Sequence, residues 1–107
     1  MFNWFLNLFK SQDNSALIAA INSEKAVVID VRTKGEYASG HVANSLNIPL
    51  NDISSNIEKI KKMNTTVILC CASGNRSGQA TRILKEKGLD NIYNGGSWTN
   101  VKHLKNK

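Results

Sequence analysis

Two short runs of this chain are apolar at every position. Val67-Ile68-Leu69-Cys70, entered from Thr66, and Ala26-Val27-Val28-Ile29, ending at Asp30, show no alternation of polar and apolar residues. A strand with one wet face alternates with period two, whereas an unbroken, β-branched run needs cover on both faces. Between such runs lie segments whose apolar positions recur three or four apart, the spacing of a helix with one buried side. Doubly covered strands separated by helices predict an α/β domain: a small, mostly parallel central sheet with helices on both faces, in three layers.

The remaining elements follow from local chemistry. Asp13 or Asn14 is suited to cap a helix carrying Leu17, Ile18, Ala20 and Ile21. Residues 32 to 44 are polar, with Gly35, Gly40 and His41, and predict a loop containing a short helical turn. Ser45-Leu46-Asn47-Ile48 reads as a strand that Pro49 stops or leaves at the sheet edge. Asn51 or Asp52 is expected to cap a helix through Ile53, Ile57, Ile60 and Met63. Ser77, or the loop before it, opens a helix with Ala80, Ile83 and Leu84 inward, and Gly88 stops it. Asn91-Ile92-Tyr93 is expected as a last strand, Gly95-Gly96 as a tight turn, and Trp98 to Lys107 as a final helix with Val101 and Leu104 inward.

A chain of 107 residues is long enough for one core and too short for two ordinary ones. We divide it into an apolar amino-terminal arm, residues 1–10, and a single domain, residues 11–107. The arm, Met1-Phe2-Asn3-Trp4-Phe5-Leu6-Asn7-Leu8-Phe9-Lys10, is too short to span a bilayer and lacks the basic polar face of an interfacial helix. Packing on the domain or self-association into a homo-oligomer is therefore expected of it, and membrane contact is not. The formal charge of +6 favours encounter with anions. The lysines, however, are scattered and not interleaved with aromatic residues, so no nucleic-acid partner is expected.

Cys70 and Cys71 are the only cysteines and are adjacent. That pattern suits neither a separated disulfide framework nor a structural zinc cluster, and it points to a reducing, cytoplasmic location with no metal or organic cofactor. Cys70 extends the apolar strand and reads as a core residue. Cys71 stands where the strand gives way to Ala72-Ser73-Gly74-Asn75-Arg76-Ser77, at the edge of a parallel sheet where ligands commonly bind. Successive loop amides and the start of the next helix can form an anion-binding nest there, Gly74 permits a close turn, and Arg76 adds positive charge. Such surroundings favour a thiolate, the nucleophilic form of cysteine.

The segment Cys71-Ala72-Ser73-Gly74-Asn75-Arg76-Ser77 resembles the persulfide loop of the rhodanese family. In the same order, Asp30-Val31-Arg32, Glu36-Tyr37, Gly40-His41-Val42, Asn47-Ile48-Pro49, Gly88, Asn91-Ile92-Tyr93, Gly95-Gly96 and Trp98 also resemble that family, over roughly residues 13 to 105. The resemblance implies a rhodanese-like fold and a sulfurtransferase in which Cys71 takes sulfane sulfur from thiosulfate or another persulfide donor. The sulfur is held as a persulfide and yielded to cyanide or to a thiol, small or on a protein. It further implies that the amides from Ala72 through Ser77 cradle the sulfur and the departing anion, with Arg76 serving the donor anion or the loop architecture. Asp30 and Arg32 are expected in supporting roles, as an ion pair or loop anchor, and His41 as a hydrogen-bond donor fixing its turn.

Other readings stay open. Counted from Cys70, five residues precede Arg76, the spacing of cysteine phosphatases and arsenate reductases; counted from Cys71, only four do. A rhodanese fold can also serve as a regulatory or protein-interaction module. Cys70 is a candidate resolving thiol, able in principle to attack a Cys71 persulfide and release sulfide.

Overall fold

The run at the centre of the sequence pattern is also the centre of the sheet. In the computed structural model, which describes residues 15–107, β3 (Val67–Cys71) is buried at every position and lies between β1 (Val27–Asp30) and β4 (Ile92–Ser97). A two-residue β2 (Leu46–Asn47) lies outside β1, giving the order β2-β1-β3-β4 with every pair parallel. The arm at residues 1–10 and the expected caps Asp13 and Asn14 lie outside the described residues.

Period-two alternation divides the core between two faces. On one face Ile29, Val67, Leu69 and Cys71 pack with Ile53, Ile60, Ala80 and Leu84. These helical residues come from α3 (Leu50–Ile53), α4 (Ile57–Met63) and α5 (Asn75–Glu86). On the other, Val28, Ile68 and Cys70 meet Ile21, Val42, Val101 and Leu104. Ile21 belongs to a helix at residues 15–21, α1, and Val101 and Leu104 to α6 (Trp98–Leu104). The α/β, three-layer expectation is therefore met. The polar loop after β1 contains α2 (Lys34–Ala38), started by a reciprocal pair in which the Glu36 amide donates to Thr33 Oγ1 and the Thr33 amide to Glu36 Oε1.

Four expectations need correction. The final helix, expected to run to Lys107, ends at Leu104. The helix expected from Asn51 or Asp52 begins instead after Pro49 and is interrupted by a 3₁₀ turn, Ser54–Asn56. There Ser55 Oγ and Asn56 Nδ2 both donate to the Asp52 carbonyl, at 3.0 and 2.7 Å, side chains competing for the carbonyl that a regular helix would use. The expected strand at Ser45 to Ile48 is shorter, Leu46–Asn47. Finally, Gly95-Gly96 does not turn the chain. The strand runs through it with a bulge, since Leu69 pairs with Asn94 while Cys70 pairs with Gly96. A Cβ at Gly95 would lie 2.5 Å from Val101 Cγ2 and 2.7 Å from Ile68 Cγ2, so glycine is there to let α6 and β3 approach the backbone.

Candidate active site

Cys71 is the last residue of β3, and the sheet delivers its side chain to the face that α5 covers. The chain then turns through Ala72 and Ser73 to Gly74, whose φ of +103° is left-handed and whose Cα side faces the Gly96 backbone; a Cβ there would sit 3.4 Å from Gly96 Cα. Gly74 caps α5, so the second half of the loop is already helix. The start at Asn75, within the loop before Ser77, points the first free amides of α5 back towards the sulfur.

The Gly74 N–H donates to Cys71 Sγ at 3.0 Å and the Ser77 N–H at 3.4 Å, and Ser77 Oγ lies 3.4 Å from the same sulfur. Burial by itself pushes the Cys71 thiol up. The Ser77 hydroxyl, in the orientation that faces the sulfur, and the amides of Ser77, Gly74 and Ser73 outweigh that effect, leaving it below the ordinary value of 9.0. Cys71 itself is only 1% exposed, whereas Ala72, Ser73 and Asn75 form an exposed rim above it.

Arg76 is held by Glu36 in a two-pronged pair, Nη1 to Oε1 at 2.7 Å and Nη2 to Oε2 at 3.0 Å. The pair fastens α5 to α2. The Arg76 fork, with the Thr33 amide behind it, holds the Glu36 carboxyl down at about 2.

Asp30 and Arg32 form a buried pair at the end of β1. Arg32 Nη2 donates to Asp30 Oδ2 at 2.7 Å and Nε lies 3.0 Å from both carboxylate oxygens. Nη2 also donates to the Gly40 carbonyl at 2.6 Å, and the guanidinium lies over the Trp98 ring, 4.8 Å from its centroid. These contacts anchor the loop after β1 to α6. His41 stacks on Tyr37 at 3.7 Å between ring centroids, and its Nδ1 lies 2.7 Å from the Tyr37 carbonyl, which can only accept. The imidazole thus donates within its own turn.

Cys70, the candidate resolving thiol, is carried by the same strand to the opposite face, among Val28, Val42 and Val101. It is wholly buried, and burial, with Asp30 adding to it, pushes its thiol up to about 12. The geometry does not bring it to Cys71 as a resolving group, and it removes the phosphatase register as well, because the loop amides converge on Cys71. Among the described residues no group of three or more His, Cys, Asp or Glu could hold a metal, and no helix is long and apolar enough to cross a membrane.

One residue of the site escaped the sequence pattern. Asn94 on β4 accepts from Ser77 Oγ at 2.6 Å and from the Gly96 N–H at 3.0 Å, and donates to the Gly74 carbonyl at 3.3 Å. Asn94 pairs with Leu69 as the last residue of β4 before the bulge at Gly95. Glu36, by contrast, carried a signal, the Thr33-x-x-Glu36 start of a helix, although not one that named Arg76 as its partner.

The fold and the site define an α/β domain with one cysteine at the carboxyl edge of its parallel sheet, cradled by the amides that follow it. A family model for the rhodanese-like domain matches residues 13–103, and the chain belongs to that family. It is 36% identical over 74 residues to the thiosulfate sulfurtransferase PspE of Escherichia coli, covering 68% of this chain and 71% of that one. Among solved structures it is similar to a rhodanese with anions from E. coli, at a TM-score of 0.65 and 34% identity, covering 70% of this chain and 89% of that one. A rhodanese-like domain protein from Staphylococcus aureus gives a TM-score of 0.68 at 27% identity, covering 84% and 86% of the two chains. Sulfur transfer is the general chemistry that this kinship supports.

Proposed function

We propose that the protein is a sulfurtransferase that carries sulfane sulfur on Cys71, with thiosulfate or another persulfide donor on one side and cyanide or a thiol on the other. The observation that carries the reading is the convergence of the Gly74 and Ser77 amides on the Cys71 sulfur. In the first transfer the Cys71 thiolate attacks the outer sulfur of thiosulfate. The S–S bond of the donor breaks, sulfite leaves with the bonding pair, and Cys71 holds a persulfide. In the second, cyanide or a thiolate attacks the outer sulfur and the Cys71 thiolate is returned as leaving group.

The loop amides suit both steps, since the charge sits on Cys71 sulfur before the first and after the second, and fixed dipoles need no reorganisation to meet it. Two N–H groups of Arg76 are paired to Glu36, and the loop amides are fixed donors for an incoming anion, which suits small donors and persulfides alike. Thiocyanate production from thiosulfate and cyanide tests the reading. The parent chain is expected to turn over and Cys71→Ser to fall to background; equal turnover by the two would overturn the assignment. A folded parent that takes no sulfur from thiosulfate or from a small persulfide would favour an interaction module.

A further inference from the structure

Ser77 has one hydroxyl proton and two neighbours able to take it. Its Oγ lies 2.6 Å from Asn94 Oδ1 and 3.4 Å from Cys71 Sγ. The Asn94 amide is fixed from both ends, with the Gly96 N–H donating to Oδ1 and Nδ2 donating to the Gly74 carbonyl. In that orientation Oδ1 can only accept, so the Ser77 proton lies on the Asn94 side. The hydroxyl oxygen then turns lone pairs to the sulfur, which suits an S–H and opposes an S⁻. The Gly74 and Ser77 amides act in the opposite sense. Rotation of the O–H about the Cβ–Oγ bond moves the proton from Asn94 to the sulfur without displacing a heavy atom.

We infer that Asn94 is a positioning residue for the reacting sulfur: it holds the Ser77 hydroxyl proton while Cys71 keeps its own, and yields it when the sulfur becomes an anion. The inference rests on the proposed function only in taking Cys71 as the reacting atom. The charged groups on the surrounding elements are Arg76 of α5 with Glu36 of α2, and Asp30 with Arg32 at the end of β1. Each is matched by its partner, and Cys70 lies on the other face of the sheet. Substitution of Asn94 touches none of them.

The test is the pH dependence of Cys71 alkylation by iodoacetamide, located by peptide mass, in the parent, Asn94→Ala, Ser77→Ala and the double variant. No sulfur donor is involved, so failure here is separable from failure of the sulfurtransferase reading. In Asn94→Ala the freed hydroxyl is expected to serve the thiolate, moving the midpoint down by about one pH unit, the worth of one hydrogen bond. In the Ser77→Ala background the same change is expected to do nothing. No shift, an upward shift or an equal shift in both backgrounds would overturn the inference and leave Asn94 as a brace for Gly74 and Gly96. Should Ser77→Ala fail to fold, Asn94→Leu and Asn94→Asp carry the test: Leu is expected to lower the midpoint, and Asp, a stronger acceptor, to raise it. Movement of both in one direction would overturn it.

Discussion

Two neighbouring cysteines meet opposite fates because successive side chains of a strand point to opposite faces. Cys70 enters the core beneath α6, where burial and the Asp30 carboxylate outweigh the help that Arg32 gives an anion, while Cys71 meets the amides of its own loop. In the folded protein at neutral pH, alkylation is therefore expected at Cys71 and not at Cys70; modification of Cys70 first would contradict the placement. Cys70→Ala is expected to cost about 1 kcal/mol in urea unfolding, for a small cavity in a packed core, and to leave the alkylation midpoint of Cys71 in place. Adjacency in sequence suggested a resolving thiol, but pleating decides what adjacency means in a strand.

At the scale of elements, the site depends on where β3 ends, where α5 begins and how β4 bends. The first two were legible. An apolar run giving way to a Gly-containing polar segment and then a helical period locates the strand edge and the loop, and the loop's residue order carried the family resemblance. The bend in β4 was not. A glycine pair has the same local signature in a turn and in a bulge, and only the packing of α6 against Gly95 distinguishes them. The 3₁₀ interruption after Ile53 was hidden similarly, because Ile53, Ile57 and Ile60 still fall three or four apart and face the core. Gly95→Ala is expected to destabilise the domain by about 1–3 kcal/mol through overpacking against Val101 and Ile68. Gly35→Ala, with nothing within 4 Å of the added Cβ, is expected to show no such loss. Paired thermal melts check both, and a Gly95→Ala protein as stable as the parent would contradict the close approach.

The whole molecule is held around the loop by ties between elements far apart in sequence, and these were the least legible features. Arg76 was visible as a charge beside Cys71, but its partner lies 40 residues away and only the fold pairs them. Because Glu36 titrates at about 2 in the folded protein against an ordinary 4.5, the pair's contribution is fully present above about pH 4.5 and is lost as pH falls towards 2. Glu36→Gln removes that titration, so its stability is expected to fall less steeply than the parent's across this window, as followed by denaturant unfolding at each pH. Both side chains are about one-third exposed, and added salt is expected to shrink the difference. Parallel slopes would contradict the tie.

The central claim, that Cys71 is the sulfur carrier, is tested most directly by intact mass after brief exposure to thiosulfate and desalting without reductant, followed by fragmentation. The expected result is a gain of one sulfur on Cys71, removed by cyanide and absent from Cys71→Ser. A stable gain located on Cys70, or a gain that persists in Cys71→Ser, would contradict it.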